Sequence, residues 1–393
     1  MNNAASELEI GHISLNHYGE ELCGDHVESH LREDGSLTYV LADGLGSGVT
    51  ANILSTLTST MLMNMMDGGL SIEESADSVV KTLPISVNRG NLAYSTFTVV
   101  QVRSDFSFVV YNYDNPDPIY LRSGKENPLK WTVFEVDGKK ILKAEGYFDL
   151  HDVLILVSDG AVYAGVGETL NFGWTRKEIV SYLEALYHDG ISSRNLASSL
   201  IEHCDVLYNP REGDDTTACV IRRRERVNVN LVVGPASKKE DDSKMMALFF
   251  AKGGKHIVCG GTTAAVCGRY LHHEVDTSID YIDAEVPPIS HLKGVDLVTE
   301  GVITLNRLVD LAKDYLDKDH EYFSWCYKQD GASLLAKALF EDATDISFFA
   351  GCAVNPAHQD PTLGINISIK MQLVEELTKH FKAMGKHIHV AYF

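Results

Sequence analysis

The chain has 393 residues, 45% of them hydrophobic, and a formal net charge of −21. That length accommodates two domains, and the acidity excludes nucleic-acid or anionic-membrane binding through a general positive field. The excess is uneven, since residues 1–225 hold 17 Lys and Arg against 33 Asp and Glu, which reads first as a solvated acidic surface.

The opening MNNAASELEIGH lacks the basic and long apolar stretches of a signal peptide. With no window of 18 or more apolar residues, a membrane span is not expected, and the protein is expected to be cytoplasmic. The seven cysteines include no CxxC pair, which argues against zinc and fits buried thiols in a reducing compartment.

The segments LEIGHISLNHYG, SLTYVLADG, YSTFTVVQVR, FSFVVYNY, PIYLRS, DVLILVSDG and TTACVIRRR read as strands. Their close spacing predicts antiparallel pairing. Residues 49–66 and 72–83 read as helices, the first with Leu54, Leu57, Met61, Leu62 and Met65 as its core stripe. A further helical block is expected over 175–203, entered through a Thr-Arg-Lys-Glu capping pattern. The run Arg222-Arg223-Arg224-Glu225-Arg226 reads as an exposed linker closing a first domain, 1–225.

Residues 226–393 change rhythm. VNLVVG, KHIVCGG, SIDYIDA, GVDLVTEG, ISFFAGCA and HIHVAYF alternate with helices starting near Ser243, Thr262, Leu305, Ala332 and Lys370. Such alternation predicts a mostly parallel, doubly wound sheet. Ligands of such sheets bind beyond the carboxyl ends of the strands. Those ends carry GPAS, GGTT, TEG and AVNPAHQD, with Pro287-Pro288 as a rigid loop beside them. Gly261, Thr262 and Thr263 open a helix and suit an anion. Glu300, Asp296 and His358 suit a sugar hydroxyl or a cation, against the plainer reading of ordinary turns and caps.

The chemistry-bearing residues of the first half are aspartates at the tips of apolar segments. GDHVE places Asp25 after a strand, YVLADGLGSG places Asp43 before a glycine loop, LILVSDG carries Asp159, and GDDTTACVI carries Asp214 and Asp215. Carboxylates at strand ends, with glycine exposing a backbone carbonyl, suit Mg²⁺ or Mn²⁺, which take oxygen ligands. GLGSG lacks the lysine of a P-loop and reads as a helix-entry turn.

These motifs, Gly24-Asp25, Ala42–Gly48, Ser158–Gly160 and Asp214–Thr217, together resemble the metal-dependent PPM (type 2C) Ser/Thr protein phosphatases, in their SpoIIE-like bacterial branch, over residues 7–224. The resemblance implies an α+β fold, a four-layer α-β-β-α sandwich of two antiparallel sheets, followed here by the second α/β domain. It implies two Mn²⁺ or Mg²⁺ ions. Asp43 would bridge them, Gly44 would offer its carbonyl, Asp159 and Asp214 would complete one site, Asp25 would support the other, and Asp215 would orient a ligand or water from behind. The implied activity is hydrolysis of phosphoserine or phosphothreonine in a protein by metal-activated water, in bacterial signalling, on a phosphoprotein resembling an anti-sigma antagonist. Larger members grip phosphate with an arginine near the first aspartate. Arg32 is the nearest counterpart here, and no histidine general acid stands out, His26 reading as a surface or supporting residue. The competing reading is a sensor or scaffold with weak phosphatase activity whose C-terminal domain binds a small anionic ligand.

Overall fold

The computed structural model describes residues 6–82, 95–136, 138–167, 169–209, 213–277, 289–316, 325, 327–353 and 369–393. It divides into two compact units, Met1–Glu225 and Arg226–Phe393.

In the first unit one sheet runs in the order β1 (Ser6–Leu15), β11 (Thr216–Glu225), β10 (Val153–Val157), β6 (Ile119–Arg122), β7 (Lys125–Glu126). The other runs β2 (Asp25–Leu31), β3 (Leu37–Gly44), β4 (Ser95–Val102), β5 (Ser107–Tyr113), β9 (Lys139–Tyr147), β8 (Thr132–Val136). Every pairing within the two is antiparallel. Strand alternation sorts the side chains into layers. Leu154 and Leu156 of β10 meet Tyr39 and Leu41 of β3 in the core between the sheets. Val153, Ile155 and Val157 point the other way, into a core shared with α3 (Asp159–Tyr163), α4 (Arg176–Leu186) and α5 (Ser193–Tyr208). Val40 and Ala42 pack outward against α1 (Gly48–Asp67) and α2 (Ile72–Thr82). The result is the expected four-layer α-β-β-α sandwich.

Three sequence expectations are corrected here. The helical block over 175–203 is two helices. A capping box between Thr175 and Glu178 starts α4, the chain turns out after Leu186, and the Ser192 hydroxyl caps α5 by accepting from the Asn195 amide at 3.1 Å. The core face of α1 carries Ala51, Leu54, Thr58, Leu62 and Met66, small enough in its first turns to lie close on β3, and Leu57 is exposed. The arginine run is a strand and not a linker. Alternation along β11 sets Arg222 and Arg224 beside Glu9 of β1, with Arg222 only 4% exposed, and stacks Arg223 on the ring of Phe106 at 3.8 Å.

The second unit has the sheet order β14 (Asp276–Thr277), β15 (Ser290–His291), β16 (Leu297–Thr299), β13 (Lys255–Cys259), β12 (Asn228–Val233), β17 (Asp345–Ala350), β18 (His387–Tyr392). From β16 to β18 all neighbours are parallel, while β14 and β15 add an antiparallel edge the sequence reading did not include. Val229, Leu231 and Val233 face α8 (Val302–Leu316), α9 (Gly331–Ala336) and α10 (Ile369–Ala383). Val232 faces α6 (Asp242–Ala251) and α7 (Gly261–Leu271) on the opposite side. Helices on both faces of a mostly parallel sheet are the doubly wound arrangement expected. The strand reading SIDYIDA, Pro287-Pro288, His358 and Cys326 lie outside the described residues.

Candidate functional site

The carboxyl end of β3 and the turn after β10 meet at one edge of the sandwich. Here Asp43, Gly44, Asp159 and Asp214 line an open cavity of about 620 Å³, joined by His17, Leu45, Ser47, Thr96 and Asp114. The loop from β3 into α1 needs its glycines. Gly46 and Gly48 have φ of +93° and +66°, and a Cβ on Gly44 would collide with the carbonyl oxygen of Ala51.

Asp25 and Asp215 sit behind this wall, both buried. Asp25 begins β2 instead of ending a strand, directly opposite Asp43 in the ladder. One of its oxygens accepts from the Ser158 hydroxyl at 2.7 Å, and that hydroxyl accepts in turn from the Thr217 amide at 2.8 Å. Asp215 accepts from the His17 amide at 2.9 Å, and the amide of Asp215 donates to Asp214 at 2.9 Å. The remaining oxygens, Oδ1 of Asp25 and Oδ2 of Asp215, are buried without a hydrogen-bond partner.

Electrostatics follow from this crowding. Asp43 is pushed up to about 9, by burial first and then by the charges of Asp25 and Asp159. Asp25 rises to about 7 through burial, against the opposing hydrogen bond from Ser158. Asp159 and Asp214 are raised as well, again by burial foremost. The charge of Asp159 is among the causes at Asp43, and a proton or a cation between the two would relieve that repulsion. With the side chains so turned, no group of three or more His, Cys, Asp or Glu among the described residues is drawn together as a ligand set for one ion. The donor chemistry nonetheless fits a hard divalent cation. Every candidate donor is an oxygen, two buried acceptors lack donors, and among the described residues no lysine or arginine lines the cavity.

The phosphate-grip candidate, Arg32, and the histidine beside Asp25 are elsewhere. Arg32 is held by Asp67 and donates to Thr38 at 3.1 Å. His26 meets the Ser59 hydroxyl on α1 at 2.8 Å. Neither lines the cavity. Sequence reasoning missed His17, Ser158 and Asp114. Ser158 was visible beside Asp159, but its bond to Asp25 spans 133 positions. His17 and Asp114 carry no local signal.

Residues 33–224 match the family model of stage II sporulation protein E (SpoIIE). The first unit is a SpoIIE-family domain. Among solved structures, the chain is similar to the PP2C phosphatase domain with a fragment of the regulatory domain of SpoIIE from Bacillus subtilis, at 17% identity, over 57% of this chain and 65% of that one, with a TM-score of 0.47. It is similar to the RsbU and RsbW domains of Rv1364c from Mycobacterium tuberculosis, at 16% identity over 62% and 68%, TM-score 0.46. RsbX in complex with magnesium follows at 18% identity over 55% and 95%, TM-score 0.39. No curated protein matches the chain. The SpoIIE match ends at residue 224 and leaves the second unit without a family. Among the described residues, no helix is long and apolar enough to cross a membrane.

In that second unit, Gly261, Thr262, Thr263 and Glu300 all line a separate cavity of about 450 Å³ at the carboxyl ends of β12, β13 and β16. Thr263 is a buried strut there, its hydroxyl accepting from the Gly234 amide at 2.8 Å. Asp296 is at the opposite ends of the strands, where it accepts from the His256 amide at 2.6 Å and fastens β13 to β16.

Proposed function

We propose that the SpoIIE-family unit hydrolyses phosphoserine or phosphothreonine esters in a protein substrate, using Mn²⁺ or Mg²⁺. The observation that carries this is the convergence of Asp43, Asp159 and Asp214 on one cavity, backed by Asp25 and Asp215. Such a wall repels a phosphomonoester dianion, and divalent cations held by the carboxylates would offset that repulsion.

Asp43, the Gly44 carbonyl, Asp159 and Asp214 would hold the ions, with Asp25 and Asp215 steadying them from behind. When bound, the ions supply an activated water and neutralise the phosphoryl oxygens. The chain's own residues do the rest. Ser158 fixes the Asp25 carboxylate, and the His17 amide fixes Asp215. The Nδ1 of His17 meets the Tyr18 carbonyl at 3.0 Å, which orients the ring at the cavity wall. Leu45 on the cavity wall continues as Val49, Ile53 and Leu57, exposed apolar side chains four residues apart along the outer face of α1. Apolar surface running from the cavity favours a protein substrate over a small phosphoester, and the likeness to the SpoIIE family supports reading that substrate as a bacterial signalling phosphoprotein of the anti-sigma-antagonist kind.

Hydrolysis of p-nitrophenyl phosphate tests the chemistry. Turnover should require Mn²⁺ or Mg²⁺, vanish in EDTA, and collapse in Asp43→Asn and Asp159→Asn. Unchanged metal-dependent turnover in both variants would remove the assignment.

A further inference from the structure

The second unit carries a buried cation that its described surroundings leave unbalanced. Lys370, in the first turn of α10, is only 9% exposed, yet it lines the 450 Å³ cavity. Its ammonium donates to the carbonyl of Gly351 and, at 3.4 Å, to that of Ala353. Among the described residues no carboxylate pairs with it, and the acidic residue of the cavity wall, Glu300, is exposed. A buried charge without a counter-charge is costly. The position adds to the cost, because the amino end of a helix carries partial positive charge and disfavours lysine.

A second positive end faces the same space. The helix α7 starts at Gly261 behind Gly260, whose φ is +106° and which provides no side-chain cap. A Cβ on Gly261 would meet nothing, so the first turn of α7, whose Gly261 and Thr262 line the cavity, is uncrowded there. The wall is built and not incidental, for Thr263 ties this turn to Gly234 at the end of β12. Burial lowers the proton affinity of Lys370, the direction that an anion bound beside it would reverse.

We propose that this cavity binds one small organic anion, whose phosphate or carboxylate sits between Lys370 and the amino end of α7 while a hydroxyl or amine of the same molecule donates to Glu300. The volume suits a single small molecule. A crevice at the carboxyl ends of parallel strands, beside the central β12 where the strand order reverses, is where such sheets take ligands. The site stands within the second unit and does not depend on whether the first unit is a phosphatase.

Calorimetry on the full chain in EDTA tests it, since chelation keeps phosphate from reaching a metal in the first unit. The probes are inorganic phosphate, ribose 5-phosphate, AMP and citrate, so that the phosphate and carboxylate arms are separated. At least one probe should bind with one-to-one stoichiometry. Lys370→Met should weaken it by about tenfold or more. Thr262→Glu, which puts a carboxylate on the exposed first turn of α7, should abolish binding without lowering the melting temperature. If Lys370→Met does not fold, Thr262→Glu decides alone. Absence of binding by every probe at about 10 mM, or undiminished binding in Thr262→Glu, would overturn the proposal.

Discussion

Asp25 and Asp43 stand directly opposite each other in the β2–β3 ladder, the first buried and the second on the cavity wall. Two carboxylates face to face are destabilising unless a proton or a cation lies between. Folding therefore stores repulsion at this edge that cation binding relieves. In EDTA at neutral pH, Asp43→Asn should raise stability by about 1 kcal/mol, or ~2–4 °C in melting temperature. The same variant should lose the stabilisation that Mn²⁺ gives the parent protein. Differential scanning fluorimetry with and without the metal reads both effects, and a destabilised Asp43→Asn in EDTA would contradict the stored repulsion.

The pH profile follows from the same groups. Asp25 is raised to about 7 and Asp43 to about 9 in the folded chain, against about 4 when unfolded. Each takes up a proton on folding within that window. Their contribution to stability is thus fully present below about pH 4 and is lost as pH climbs through about 7 and then about 9. A bound cation takes the proton's place. Melting temperatures in EDTA should fall between about pH 5 and about pH 9 relative to those in saturating Mn²⁺. Two parallel curves would contradict this account.

Ser158 is fully buried and joins β10, β2 and β11 through one hydroxyl, donating to Asp25 and accepting from the Thr217 amide. Ser158→Ala removes a single atom but strands both groups. The expected cost is about 2–3 kcal/mol by urea unfolding, with turnover reduced because Asp25 loses its fixed orientation. A cost within about 0.5 kcal/mol would be that of an ordinary surface position and would deny Ser158 this role.

Glu9 performs a comparable task on the far side of the sheet. It faces Arg222 at 3.6 Å, pairs with Arg224, and accepts from the Ser193 amide at 2.9 Å at the amino end of α5. Glu9→Ala removes the nearest carboxylate from the buried Arg222 and should cost about 3 kcal/mol. Glu9→Gln keeps the packing and should fall between. Chemical denaturation of the three proteins orders them, and equal stability of Glu9→Ala and the parent would contradict the pairing.

Much of this architecture was legible from the sequence because strand alternation is visible in runs such as VLILV, where every residue is buried and successive ones serve different cores. Asp43 and Asp159 were legible for a related reason, since each stands where an apolar run stops beside glycine. The readings that failed depended on distant partners. Nothing local in RRRER shows that Glu9, more than 200 positions earlier, turns a charged run into a buried strand. Arg32 could not be assigned until Asp67 was seen to hold it. His17 and Lys370 reach their cavities only through tertiary packing, and Asp296, although acidic and next to a strand, lies at the wrong end of the sheet.

Calorimetric titration of Mn²⁺ into the full chain bears most directly on the central claim that the carboxylate cavity of the SpoIIE-family unit is a metal centre. The account predicts two bound ions per chain in the parent protein and loss of that binding in Asp43→Asn, with the folded state retained. No heat of binding in the parent, or an isotherm unchanged by Asp43→Asn, would contradict it.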